Sequence, residues 1–507
     1  MFLFVIFGNF QRIMMSKKAI VIGAGLGGMA TALRLKRRGY DIEVVEQYAQ
    51  AGGRLNQLKS EGFTFDMAPT FFSMSYLFRE FLEDAAIEMP FRFVELDPLY
   101  TVNFRGSDRR YIIYKDLEKL EEQFEGVEPD FKRKMERFLR DAGKLFHQVD
   151  ANILQKNFNS LADFFIQMTR MDVRHVPKII RTVWGELDRH FTSYEVKVIF
   201  SLVAFFLGST PFDTPAVYSI LSYTEMEHDG YHNVEGGMYR IVEGLEKEMV
   251  KAGVKMHYDV AITGYESDGG RVTAFSDASG RRWEADLFVV NADAASFRGE
   301  VMKRKKYREQ RLDRMQWTLA PFTMYLGVKG KVEGLDHHNY FLGTDFREYS
   351  AGIFRNKIKL DKPYYYVNAN SKFNTESAPE GCENLFILCP VPDLRFKPDW
   401  SDREWLADVI IDDLSERTGF DVRSNLLTKV VLDPADWEKM FGLYRGSGLG
   451  LGHKMTQVGA MRPSNRDEKF KNLFYVGAST VPGTGLPMVM ISSKLTTERI
   501  DNEFGTL

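Results

Sequence analysis

Hydrophobic and polar residues recur along this chain with two periods, and the points where the period changes outline the fold. The apolar run Ala19–Ile22 is short enough to be a buried strand and stops at a glycine-rich turn, Gly23-Ala24-Gly25-Leu26-Gly27-Gly28. A helical pattern continues to Gly39, and a second apolar strand, Ile42–Val45, ends in Glu46. Together these segments predict a βαβ unit. Phe63 and Phe65 alternate in a strand that runs into a loop at Ala68-Pro69, and Leu96–Ile113 reads as two short strands around Gly106-Ser107-Asp108. From Asp116 to about Thr192, apolar residues recur at spacings of three and four in a highly charged stretch, which predicts helices. Val198–Leu207 is a ten-residue apolar run, too short to cross a bilayer and read as a buried helix.

Beyond it, Gly236-Gly237-Met238 opens a helix to about Lys251. Val254–Val260 and Val272–Ala274 read as strands, and Ala285–Asn291 is a buried strand that resumes the first sheet. From Thr318 to Pro392 the period is that of strands, and an antiparallel sheet is expected. Asp402–Arg417 is helical. Leu473–Val476 is one more strand running into Gly477, after which Pro482-Gly483-Thr484-Gly485-Leu486-Pro487 leads into a helix from about Met488.

The glycines carry the first chemical signal. In a βαβ turn, Gly23 permits the tight bend, Gly25 lets the backbone approach a pyrophosphate, and Gly28 lets helix and strand pack, while free N–H groups at the helix start hold the anion. Glu46, 18 positions past Gly28, is placed to accept hydrogen bonds from a ribose. Gly52-Gly53-Arg54 resembles the phosphate-side extension of large two-domain FAD enzymes, which favours FAD over NAD; an ordinary Gly-Gly turn with an exposed Arg is the competing reading. The second glycine turn before a helix, Gly483 to Leu486, offers N–H groups to the other half of a flavin.

Composition adds bounds. The 507 residues suffice for two or three domains, and 67 basic against 70 acidic residues leave no field to draw the chain to nucleic acid. Forty Phe, 22 Tyr and 22 Met make either a large core or a lipid-sized cavity, which composition alone does not decide. Cys382 and Cys389 are the only cysteines, with no His in metal-ligand spacing, so a reducing compartment without structural disulfides or a metal is expected. The apolar start Met1–Phe10 lacks a basic leader and a cleavage site; it is read as non-functional, with translation beginning at Met14 or Met15. Arg174–Gly185 mixes Arg174, Lys178 and Arg181 with apolar residues, and either dips into a lipid surface or is a plain surface helix. The basic run Lys303–Arg314 is read as a solvated helix face, with anionic lipid contact as the alternative.

Taken together, VIGAGLGGMATALRL, GGR, GFTFDMAPT, GSTPFDTPAVYSIL (Gly208–Leu221), VEGGMYRIVEGL, HHNYFLGTDFREY (His337–Tyr349), SAPEGCENLFILCPVPDL (Ser377–Leu394), RPSNRDEKFKNLFYVGAS (Arg462–Ser479) and PGTGLP resemble the bacterial-type phytoene desaturase family nearly end to end. The resemblance implies an α/β fold: a Rossmann-type, amine-oxidase-like FAD-binding domain in parts 16–115, 236–300 and 456–507. These interleave with a helical substrate and membrane-associating region at 116–235 and an α+β substrate region with an antiparallel sheet at 301–455. Carried over by position, Gly23, Gly25, Gly28, Glu46, Gly53 and Arg54 would hold the ADP half, Val260 would read adenine through its backbone, and Gly477 with Leu486, Pro487 and Met488 would meet the isoalloxazine.

The sequence departs from the family pattern at Tyr48, where an Arg is usual, and at Met67 and Met488, two bulky residues expected at the flavin face. The implied activity is desaturation of a CH–CH bond in a long polyene by hydride transfer to the flavin. Neither hydrogen is acidic, so the cofactor carries the chemistry, aromatic faces support the transient cation, and a quinone or oxygen takes the electrons. Asp163 is a candidate catalytic acid, with a surface role as its competitor; His228 and His232 are read as structural. Acting on a later or hydroxylated carotenoid, oxygenation and isomerisation remain alternatives, as does a non-catalytic lipid escort. A cytoplasmic protein held loosely at the membrane is the expected location.

Overall fold

The computed structural model describes residues 16–355 and 358–505; the apolar leader lies outside them. The segments read as βαβ form the strand Lys18–Ile22, the helix Leu26–Arg37 and the strand Asp41–Val45. They lie in a five-stranded sheet ordered Leu473–Tyr475, Leu287–Val290, Lys18–Ile22, Asp41–Val45 and Lys255–His257, parallel throughout. Both faces of this sheet are covered, as an all-parallel sheet requires. Ala19, Val21, Leu287 and Val289 face one core and Ile20, Ile22, Phe288 and Val290 the other. The helix Leu26–Arg37 packs on the C-terminal helix Leu486–Phe504.

The structure refines three expectations. The strand foreseen at Val254–Val260 ends at His257, because Asp259 takes a left-handed conformation (φ 57°) that breaks the extended run. Val272–Ala274 is the middle of a longer strand, Arg271–Asp277, which pairs in a separate three-stranded antiparallel sheet. The hairpin Tyr100–Phe104 and Arg110–Ile113, within the stretch 16–115 read as the first nucleotide-binding part, closes one edge of a second large sheet and not of the parallel one.

That second sheet has seven strands, ordered Leu426–Leu432, Ala320–Lys329, Cys382–Val391, Tyr365–Asn368, His338–Leu342, Tyr100–Phe104 and Arg110–Ile113. It is antiparallel as expected except where His338–Leu342 runs parallel to Tyr100–Phe104. Its side chains divide by strand period. Leu385, Ile387, Cys389 and Val391 pack under the helix Arg403–Thr418 through Leu406, Ile410 and Leu414. Phe386 and Leu388, one residue out of phase, face the other way, into a cavity. Val198–Leu207 falls in two short helices, Tyr194–Ser201 and Val203–Phe206, and its residues Leu202, Phe205, Phe206 and Leu207 line that cavity. Cys382 and Cys389 are buried and free.

Candidate active site

The helix Leu26–Arg37 begins at Gly25, whose extended backbone (φ −69°, ψ 167°) turns the chain sharply out of the first strand. Space there is exhausted. A Cβ on Gly23, itself at φ +100°, would lie 2.6 Å from the Asn291 carbonyl oxygen, and one on Gly28 would lie 2.0 Å from the Gly23 carbonyl oxygen. A Cβ on Gly25 would meet the Asn291 amide nitrogen at 2.7 Å, and one on Gly477 its oxygen at 2.6 Å. Asn291, at the end of the neighbouring parallel strand, is therefore the post on which the first glycine turn and the strand end at Gly477 close. Sequence reasoning missed it, although it terminates the foreseen strand; nothing local marks an Asn as the meeting point of segments some 200 and 270 residues apart.

Glu46 is buried, and its carboxylate accepts hydrogen bonds from the backbone N–H of Ala24 (2.7 Å) and Tyr48 (3.1 Å). Burial pushes its carboxyl up from the usual range, and those N–H groups pull it part of the way back. Gly52 donates its N–H to the Ala24 carbonyl at 2.9 Å, which ties the GGR turn to the first glycine turn. Arg54 points into the cavity, where one N–H reaches the Gly448 carbonyl at 3.2 Å; desolvation lowers its guanidinium and Asp293 raises it. Val260 lies beyond its strand and donates its N–H to the Glu46 carbonyl at 2.8 Å. The C-terminal helix starts at Gly485 (φ +108°), with Leu486, Pro487 and Met488 in its first turn.

All of these residues except Ala24 and Gly28 line one cavity of about 700 Å³. Gly28 lies beneath it, as a packing glycine should. The same cavity runs on beneath the seven-stranded sheet, where Phe71, Phe206, Tyr231, Tyr340, Tyr366 and Phe386 form its walls. The Tyr366 hydroxyl lies 2.7 Å from Thr70 Oγ1 and 2.6 Å from His338 Nδ1. Of the two methionines expected at the flavin face, only Met488 lines the cavity; Met67 is 3% exposed and packs into the core beside Phe65. The neighbouring Asp66 is also buried, which pushes its carboxyl up to about 6 against the pull of the Met238 and Tyr239 N–H groups.

Asp163 is not among the lining residues. It occupies the first turn of the helix Leu161–Met168, takes an N–H bond from Asn159 at 3.2 Å and gives its own N–H to Ser160 Oγ at 3.1 Å, so it serves as part of a helix cap. His232 lies in the strand His232–Val234, away from the cavity lining, and His228 packs against Tyr223 and Phe146. Among the described residues no group of His, Cys, Asp and Glu is arranged to hold a metal.

A helix N-terminus and a strand-end carboxylate at the mouth of a parallel sheet define a dinucleotide-binding protein. The donors match a flavin dinucleotide: a glycine cradle that tolerates no side chain, a second helix start facing it, and a cationic Arg between them. The pattern of the flavin-containing amine oxidoreductases matches residues 26–501, and the chain belongs to that family, whose cofactor here is FAD. It is 32% identical to the zeta-carotene-forming phytoene desaturase of Myxococcus xanthus over 496 residues, spanning 96% of this chain and 94% of that one. It is 30% identical to the phytoene desaturase of Phycomyces blakesleeanus, spanning 96% and 86%. The crystal structure of an oxidoreductase from Methanosarcina mazei superposes with a TM-score of 0.65 at 17% identity, over 95% of this chain and 100% of that one.

Proposed function

We propose that this protein is an FAD-dependent desaturase of a long carotenoid-type polyene. The observation that carries this reading is the continuity of the cavity: the glycine cradle and Glu46 lie at one end and an aromatic corridor at the other, with no wall between them. Gly23, Gly25, Glu46, Gly53, Arg54 and Val260 would hold the dinucleotide, and Gly477, Leu486, Pro487 and Met488 would border the ring system. Bound there, FAD supplies a hydride acceptor for an allylic C–H bond.

The protein's own part is positioning and exclusion of water. Phe71 stands 4.6 Å from Tyr231 and 6.0 Å from Tyr366 between ring centroids, so the corridor presents π faces to a polyene made electron-poor by hydride loss. The neighbouring proton then leaves to water or a weak base, which completes the double bond. A quinone or dioxygen takes the electrons onward.

Access to a membrane-dissolved substrate points to a lipid-facing patch. No helix among the described residues is long and apolar enough to cross a bilayer. Leu161, Phe165, Ile166 and Val176 are each more than half exposed, and Ile180 is 84% exposed. The basic residues of that stretch add less attraction than its sequence suggested: Arg174 is paired with Asp172, and Lys178 and Arg181 share the one carboxylate of Glu186, so a single positive charge is left over. Attachment therefore rests on apolar insertion.

Expression in a phytoene-accumulating host tests the reading: longer, coloured polyenes are expected. Unchanged phytoene beside flavin-loaded protein would reject phytoene as substrate, and failure with all polyenes would reject the desaturase. Co-sedimentation with neutral vesicles, lost in Phe165→Asp/Ile180→Asp, tests the patch; wild-type protein left in the supernatant would refute it.

A further inference from the structure

We propose that the wall built by Glu225, Tyr231 and Tyr340 receives a hydroxyl-bearing end of the polyene, so that the enzyme selects an alcohol over the matching hydrocarbon. This inference rests on the polyene reading of the same cavity and narrows its substrate class.

Three polar side chains are sunk into an otherwise aromatic wall. Glu225 is 4% exposed, Tyr231 2% and Tyr340 8%, and all three line the cavity. Glu225 forms no ion pair among the described residues. The Tyr231 and Tyr340 hydroxyls are buried without a hydrogen-bond partner among the described residues. Tyr231 lies near enough to Glu225 to draw its carboxyl part of the way back down, yet makes no bond of normal geometry with it. Around them stand rings: Phe71 at 4.6 Å and Phe206 at 6.2 Å from Tyr231, and Tyr100 at 5.4 Å from Tyr340.

Backbone irregularity aims the carboxyl. Helix Ile220–Tyr223 does not continue as an α-helix but opens into a π-helical turn, Thr224–His228, in which Asp229 donates its N–H to the Thr224 carbonyl at 3.0 Å. Turns of this kind insert a residue and recur at functional sites. Here Glu225 faces the cavity while its neighbour Met226 packs into the core.

The chemistry of the trio fits an alcohol. Burial pushes the Glu225 carboxyl up to about 8, so near neutral pH it carries a proton and offers both a donor and an acceptor. The tyrosine hydroxyls do the same. A hydroxyl on the ligand uses both kinds of partner, a carbonyl only the donors, and a carboxylate would add charge beside an acid in a dry pocket. A hydrocarbon end displaces whatever water the site holds and leaves the Tyr340 hydroxyl unpaired, which slows its turnover without barring it.

The test uses the FAD-loaded full-length protein and two polyenes of one carbon skeleton, one ending in a hydroxyl and the other in hydrogen. Turnover is followed as kcat/KM, and occupancy separately by quenching of Trp437, which lines the same cavity. Wild type is expected to favour the alcohol by roughly 10- to 100-fold. Glu225→Leu, and independently the pair Tyr231→Phe/Tyr340→Phe, should cut that ratio by about tenfold, whereas Glu225→Gln should keep most of it. The tyrosine pair decides the matter if Glu225→Leu does not fold.

Equal turnover of both polyenes by wild type, or an alcohol preference untouched by the variants, would overturn the proposal while the desaturase reading stands. Tighter binding of the alcohol without desaturation would support the end-group site and reject the desaturase. Failure of either polyene to quench Trp437 would reject both.

Discussion

Replacing Gly28 by Ala isolates the contact on which the cofactor cradle depends. Gly28 sits in the helix Leu26–Arg37 with ordinary helical backbone, so an alanine there meets no conformational penalty and even gains helix propensity of about 1 kcal/mol. The opposing term is steric. Its Cβ would stand 2.0 Å from the Gly23 carbonyl oxygen and 3.2 Å from Asn291 Cβ. A carbon–oxygen contact needs well over an ångström more, and the clashing atom is backbone, so the helix must back away from the strand. Overpacking of this kind costs about 1–3 kcal/mol. The displaced N-terminus also carries the N–H groups that would face the dinucleotide. A loss of 1.4 kcal/mol is about tenfold in affinity, so Gly28→Ala should weaken FAD binding by roughly 10- to 100-fold, read by fluorescence titration of apoprotein. Gly264→Ala, where the nearest atom is the rotatable Ser276 Oγ at 2.8 Å, should leave FAD binding near wild type. Wild-type FAD affinity in Gly28→Ala would refute the cradle.

Two further outcomes follow from buried charge. The Glu225 carboxyl rises from 4.5 to about 8 on folding, so its contribution is fully present below pH 4.5 and is lost as pH climbs through 8. Urea unfolding should show the advantage of Glu225→Gln over wild type growing across that window, by at most about 1.4 kcal/mol per pH unit; a pH-independent difference would contradict a buried carboxyl. Arg34 is buried between Asp84 (2.6 Å) and the Met490 carbonyl (3.2 Å), and so joins the helix Leu26–Arg37 to the helices Tyr76–Ala85 and Leu486–Phe504. Because Asp84 is 35% exposed, Asp84→Ala should cost about 2 kcal/mol, below the range for a fully buried pair; unchanged urea unfolding would show the pair to be idle.

What the sequence disclosed was whatever chemistry is local. The glycine turn, the strand-end Glu46 and the GGR extension lie within 40 residues of one another, and each has a backbone reason to be what it is. Convergence over long range was hidden. Asn291 is anonymous until parallel pairing brings Val290 beside Ile22, and the hairpin at 100–113 looks the same whichever sheet it joins. One error was avoidable: Phe63, Phe65 and Met67 share one face of the strand Phe63–Ala68, so strand period places Met67 with the core phenylalanines and not toward the flavin. Glu225 drew no attention because a π-turn breaks the helical period that would have placed it in the wall. Nor does the run Tyr218–Tyr231 single it out, since Glu227 and Asp229 lie in the same stretch.

The most direct test is anaerobic mixing of the FAD-loaded protein with a polyene while the visible absorption of both is recorded. Stoichiometric bleaching of the flavin band together with a red shift of the polyene is the predicted result. An oxidised flavin that persists beside a polyene already quenching Trp437 would contradict the account at its centre.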